Sequence, residues 1–270
     1  MALPLIFLDL DGTLIGSGGG VSQPVWQALE EARAAGVVLA ACTGRTGQGV
    51  ARQIARRLDE DGLHIFDSGA VVTRLDDEPL TIQTLDTESL QSLVIHARSL
   101  APTSTIELYT TDAIYVEHLS WRCLRHAEVL GLTVTELSLD SVIQTERVIR
   151  AHWIVPPEHL DRALELDLPS CQISVASSPA LPESMFASIT RSGVSKGSAA
   201  RRLATESGID LAQAMAIGDS TGDLPVLELV GHPRVMGDAP EELRERYPTL
   251  GTVEEDGVIA ALLDATSAPP

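Results

Sequence analysis

Leu5-Ile6-Phe7-Leu8-Asp9-Leu10-Asp11-Gly12-Thr13-Leu14 opens the chain with an apolar run first broken at Asp9. Four consecutive apolar residues ahead of a turn signal read as a strand buried on both faces, as in parallel sheets covered by helices. Two carboxylates at i and i+2 of an extended chain fall on one face, so Asp9 and Asp11 are expected to project together beyond the strand's carboxyl end. Ligands of open α/β sheets bind there. Gly12 is expected to allow a sharp turn and to leave amides facing an anion. Carboxylates this close stay ionised together only beside a cation. By itself the hexapeptide Asp9 to Leu14 reads better as a solvated turn, so its meaning rests on what the rest of the chain places beside it.

Outward from this strand a βα rhythm appears. Ser22, followed by Pro24 and apolar residues at helical spacing up to Gly36, predicts a capped helix. Val37 to Cys42 predicts a second buried strand, 47–58 a helix and His64 to Phe66 a short third strand. The rhythm returns late, with a helix from Lys196 to Ser207, a strand from Ala214 to Ile217, a short helix from Leu224 to Val230, a strand from Pro233 to Met236 and a helix from Pro240 to Tyr247. Between the two blocks, a hairpin at 105–117, strands at 147–155 and 172–176, and helices at 87–101 and 159–166 read as α+β. The fold class is therefore α/β, a doubly wound parallel sheet over residues 1–74 and 186–270, with an α+β domain inserted at 75–185.

Composition narrows the function. Asp and Glu number 38 against 19 Lys and Arg, giving a net charge of −19 and a sequence pI of about 4.6. Such a chain is unsuited to wrapping nucleic acid or docking on an anionic membrane. The three cysteines, Cys42, Cys123 and Cys171, lie far apart and in no metal-ligand spacing, so a reducing compartment is expected. The apolar start lacks a basic region and meets Asp9 too early for a signal peptide, and no apolar run approaches the ~20 residues of a membrane span. A cytoplasmic protein is expected. Asparagine is absent and lysine occurs once, as Lys196. In a chain that otherwise writes Arg, that lysine is a candidate for work a guanidinium cannot do.

Three further pieces join the first. Thr43-Gly44-Arg45 ends the second strand, offering a hydroxyl and, at an expected helix start, amides for an oxyanion. Lys196 follows Gly193-Val194-Ser195 at a helix start, where the helix dipole opposes a cation. Gly218-Asp219-Ser220-Thr221-Gly222-Asp223 ends the late strand with two more acids. Acids, a hydroxyl and a cation thus gather at the same end of three parallel strands.

In this order and spacing the four pieces resemble the motifs of the haloacid dehalogenase superfamily, and within it the Cof-type or class IIB phosphatases, whose cap domain is inserted between the second and third motifs. The resemblance spans nearly the whole chain. It implies an Mg²⁺-dependent phosphatase with Asp9 as the nucleophile that becomes an aspartyl phosphate and Asp11 as the acid and base. It implies a metal held by Asp9, the Asp11 backbone carbonyl and Asp219, with Asp223 orienting the metal shell or Lys196. Thr43 and Lys196 would hold phosphoryl oxygens, with Gly12 and Gly44 lining the phosphate site. The implied partner is a small phosphorylated metabolite, such as a sugar phosphate, selected by a cap whose closure excludes bulk water. A mannosyl-3-phosphoglycerate phosphatase shares the Gly-Asp-Ser opening of the fourth motif. The other readings are a phosphomutase that returns the phosphoryl group to sugar, and a binding module without turnover. That last reading rests on Gly222, which with Ser68 and Asp238 stands where the family commonly has Asn.

Other features are expected to be bland. The seven histidines, His118, His126 and His152 among them, show no metal-ligand spacing and are given surface or packing roles. Cys42 reads as a small buried hydrophobe, 18–20 as a flexible connector, and Arg45 as either a substrate contact or an ordinary ion pair. Glu107, Tyr109, Asp112 and Trp153 are the inserted residues with chemistry to offer a substrate.

Overall fold

A computed structural model describes residues 2–76, 78–100, 104–178 and 181–267 of the chain. It divides into two compact units, Met1–Gly47, Ala51–Thr81 and Ser195–Pro270 in the first and Gln48–Val50 with Ile82–Val194 in the second.

The first unit begins with β1 (Leu5–Leu8), every residue of which is buried. Helix α1 (Gln23–Ala34) starts at Ser22, whose hydroxyl accepts the Val25 amide, and has proline in its first turn. Then come β2 (Val38–Ala41), α2 (Gly49–Leu58), β3 (His64–Phe66), β4 (Val71–Thr73) and β5 (Thr81–Ile82). The second unit holds α3 (Thr87–Ser99), β6 (Thr105–Tyr109), β7 (Ile114–Val116), α4 (Trp121–Leu130), β8 (Val134–Glu136), α5 (Leu139–Thr145), β9 (Arg150–Val155), α6 (Leu160–Leu164), β10 (Cys171–Ser178) and β11 (Leu181–Arg191). The chain then returns to the first unit through α7 (Lys196–Ser207), β12 (Met215–Gly218), α8 (Leu224–Leu227), β13 (His232–Val235), α9 (Glu241–Arg246) and α10 (Val258–Ser267).

The main sheet of the first unit has the order β13-β12-β1-β2, and every neighbouring pair is parallel. Beyond β2 the Thr43 amide donates to the Ile65 carbonyl at 3.0 Å, which ties in β3. Leu5, Phe7, Ala40, Cys42, Ile65, Ala200, Leu203 and Ala216 share one core cluster. Each large aliphatic or aromatic side chain buried there contributes roughly 1.5–3 kcal/mol. With aromatics at 3% of the chain, that core is mostly aliphatic.

In the second unit the sheet order is β10-β11-β9-β6-β7-β8, antiparallel except between β7 and β8. Period-two alternation gives its faces different jobs. Ile106, Leu108, Trp153, Val155, Ala187 and Ile189 join an apolar cluster with Leu90, Leu93 and Val94 of α3 and Val142 of α5. Glu107, Tyr109, Arg150 and His152 alternate with them along β6 and β9.

The domain limits expected from the sequence need correction. A boundary at 185/186 would cut β11, which is registered from Met185 to Ile189 against β9 and onward to Arg191 against β10. That strand is poorly announced because Pro182, Glu183 and Ser184 blur its apolar alternation. Helices α4, α5 and α10 and strands β4, β5 and β8 are further elements the sequence reading leaves out.

Candidate active site

Asp9 follows β1 directly, and its amide donates to the Ile217 carbonyl of β12 at 3.0 Å. Strand pairing thus fixes the backbone that carries this carboxylate. Lys196 is the first residue of α7, whose start is set by reciprocal bonds in which the Ser198 amide donates to the Ser195 hydroxyl and the Ser195 amide to the Ser198 hydroxyl, both at 3.0 Å. The helix dipole disfavours an ammonium there, yet Lys196 is only 6% exposed. Its Nζ donates to Asp9 Oδ1 at 2.6 Å and to Asp223 Oδ1 at 2.5 Å. Burial pulls the ammonium's pKa down, but Asp223 and Asp9 outweigh it and hold it above lysine's ordinary range.

The loop after β12 is folded around Asp223. Its Oδ2 accepts the Asp219 amide at 3.2 Å, the Ser220 amide at 3.1 Å and the Ser220 hydroxyl at 3.0 Å. Asp219 is half-buried, and burial, reinforced by the nearby Asp223 charge, raises its carboxyl to about 6. Burial likewise lifts Asp9 well above the usual carboxylate range, against the pull of Lys196. Gly12 lies against Asp219. A Cβ there would stand 2.2 Å from Asp219 Oδ2, and its φ of +75° suits glycine.

One ligand atom from each of Asp9, Asp219 and Asp223 can be chosen so that all lie within 4.8 Å of one another. Three hard carboxylates around one ammonium leave a surplus of negative charge, which is what a divalent oxygen-seeking cation requires. The donors are not equivalent, however. Asp223 has both oxygens engaged, by Lys196 and by the 219–220 loop, whereas Asp9 Oδ2 and the Asp219 carboxylate carry fewer such bonds.

Other expected site residues stand differently from the sequence reading. Strand alternation does not align Asp9 and Asp11, because the chain leaves the strand and turns at Leu10, whose carbonyl accepts the amides of Thr13, Leu14 and Ile15. The alternation that would align the two acids ends there. Asp11 is exposed and takes a bidentate contact from Arg45, with Nε at 2.7 Å and Nη2 at 2.6 Å, and this bond raises the Arg45 pKa. The Gly12 amide is not left facing an anion, since it donates to the Ile15 carbonyl at 3.0 Å. Thr43 is buried beyond β2 and its hydroxyl accepts the Arg45 amide at 3.0 Å. Thr43, Gly44 and Arg45 lie in a bend rather than at a helix start, because α2 begins only at Gly49.

Two supports escape the sequence. Ser220 supplies two donors to Asp223, a role a serine in a polar loop does not advertise. Asp67 and Ser68 take φ of +51° and +57°, and their amides donate to the carbonyls of Arg45 at 2.9 Å and Thr43 at 3.1 Å. The left-handed backbone at Ser68 explains why an asparagine would be at home there. Asp238 keeps a capping role, its Oδ2 accepting the Val253 amide at 3.0 Å.

The haloacid dehalogenase-like hydrolase family model matches residues 6–262. The chain belongs to that family. It is 31% identical over 270 residues to "Putative phosphatase YxeH" of Bacillus subtilis (strain 168), covering 96% of each chain. Among solved structures, a haloacid dehalogenase-like hydrolase from Bacteroides thetaiotaomicron superposes with a TM-score of 0.84 at 23% identity, covering 96% of this chain and 98% of that one. The subclass IIB sugar phosphatase BT4131 gives 0.81 at 21% identity, with coverage of 96% and 98%. This haloacid dehalogenase-like protein is thus a Cof-type phosphoric monoester hydrolase with an α/β core and an inserted α+β unit. No helix among the described residues is long and apolar enough to cross a membrane.

Proposed function

We propose that the protein is an Mg²⁺-dependent phosphatase of a small phosphorylated metabolite, a sugar phosphate by preference, working through a phosphorylated Asp9. The observation that carries this reading is the buried Lys196 ammonium joined to Asp9 and Asp223 beside a third acid, Asp219. Asp9 Oδ2 and Asp219 would hold Mg²⁺, which, when bound, neutralises the repulsion between carboxylate and phosphoryl oxygens.

Asp9 attacks phosphorus, the P–O bond to the leaving group breaks, and the departing alkoxide takes a proton from Asp11. Asp11 then accepts a proton from the water that attacks the acyl phosphate, releasing inorganic phosphate and restoring Asp9. For this Asp11 exchanges its Arg45 partner for the leaving group, which frees the guanidinium for a phosphoryl oxygen. Lys196 and the Thr43 hydroxyl hold the remaining phosphoryl oxygens. Asp223 is a positioning residue, holding Lys196 with one oxygen and the 219–220 loop with the other.

The test is a screen of phosphorylated metabolites in Mg²⁺ with phosphate release as readout, run beside Asp9→Asn. Release of phosphate in step with substrate loss is expected, abolished in the variant. An isomeric sugar phosphate formed without phosphate release would overturn hydrolysis in favour of a mutase. Activity surviving in Asp9→Asn would overturn the covalent route.

A further inference from the structure

The second unit contains a buried polar cluster that the phosphatase reading does not use. Glu107 on β6 and His152 on β9 are register partners across antiparallel strands, and His126 of α4 reaches the same carboxylate. Glu107 is fully buried and His126 is 8% exposed. Glu107 Oε2 accepts the Tyr109 hydroxyl at 2.6 Å and lies 2.8 Å from His126 Nδ1. The two imidazoles are stacked with centroids 5.5 Å apart.

Two atoms here are left without a partner among the described residues. Glu107 Oε1 and His152 Nδ1 are both buried and neither makes a hydrogen bond. A buried polar atom lacking its bond forfeits ~1–3 kcal/mol, and a carboxyl group is a poor choice for a site that merely needs filling. Ligand atoms from Glu107, His126 and His152 lie within 4.8 Å of one another. We propose that these three residues form a binding site for a zinc-class divalent cation, separate from the carboxylate cluster of the first unit. Two imidazole nitrogens and one carboxylate oxygen select a borderline ion such as Zn²⁺ over Mg²⁺, which prefers oxygen alone. Tyr109 supplies the outer bond that orients the carboxylate. Sequence spacing conceals the site because its three residues come from two strands and a helix.

The experiment uses the full-length chain stripped with EDTA and carrying Asp219→Asn, which weakens the proposed Mg²⁺ position so that zinc taken up there does not confuse the count. Titration with Zn²⁺ alone is expected to show one bound ion per chain, and Co²⁺ in its place a visible absorption band of imidazole-coordinated metal. Adding Glu107→Gln or His152→Gln should weaken Zn²⁺ binding by roughly a hundredfold. Should those variants fail to fold, histidine-ring NMR on the Asp219→Asn chain decides the matter, with His126 and His152 moving on Zn²⁺ addition. An Asp219→Asn chain that takes up no Zn²⁺, affinity unchanged in both variants, or unmoved His126 and His152 rings would each overturn the site and leave a metal-free hydrogen bond between Glu107 and His126.

Discussion

Lys196 shows how one residue carries both stability and chemistry. Its Nζ is the bond partner of two buried carboxylates, so Lys196→Met would leave like charges facing each other out of water. Loss of about 3–5 kcal/mol in urea unfolding is expected, together with loss of phosphatase activity. Lys196→Arg should not restore turnover, because a planar fork cannot take the place of a compact ammonium in so closed a site. Asp9→Asn removes one charge of the same cluster and should leave the chain folded but inactive, which separates chemistry from stability. Arg45→Ala is expected to raise KM more than it lowers kcat, since it removes a proposed phosphoryl contact while leaving Asp9 and Lys196 in place. A kcat loss without a KM change would count against that role.

At the scale of elements, the site depends on how closely α7 lies on α8. A Cβ at Gly197 would stand 2.1 Å from the Pro225 carbonyl oxygen, so Gly197→Ala must push the first turn of α7, and Lys196 with it, away from Asp223. Destabilisation of about 1–3 kcal/mol is expected, with kcat falling further than stability alone explains, read by urea unfolding beside steady-state kinetics. The start of α7 was open to reading from Ser195 and Lys196, as β1 and β12 were from unbroken apolar runs ending in acids. Other features stayed hidden for physical reasons. The facing of Asp11 depends on a turn closed by the Leu10 carbonyl, and backbone hydrogen bonds leave no mark on residue type. Strand β11 is held by two partner strands, so pairing overrides its weak alternation. The Glu107, His126 and His152 cluster is made by strand register and helix packing, which sequence spacing does not encode.

For the whole molecule, a net charge of −19 makes any cation stabilising through general screening, whereas the Asp9, Asp219 and Asp223 cluster calls for a divalent ion held by specific carboxylates. Asp219 separates the two effects. Its carboxyl is raised from an ordinary 3.8 to about 6, so the folded chain holds this proton more tightly than the unfolded one. The associated stability is full below the unfolded value, falls as pH rises towards about 6, and is gone above it. Asp9 is shifted the same way. The metal-free protein should therefore lose stability across that window, by an amount for Asp219 on the order of 1–2 kcal/mol after allowance for solvent screening of a half-buried group. Asp219→Asn should flatten the slope and raise the metal-free Tm at neutral pH. At matched ionic strength NaCl should raise Tm equally in both chains, whereas MgCl₂ should add a further increment in the wild type alone, because only there does the ion meet both carboxylates of its proposed seat. Equal increments in both chains would mean that Mg²⁺ acts only by screening, and the proposed seat between Asp9 and Asp219 would have to be given up.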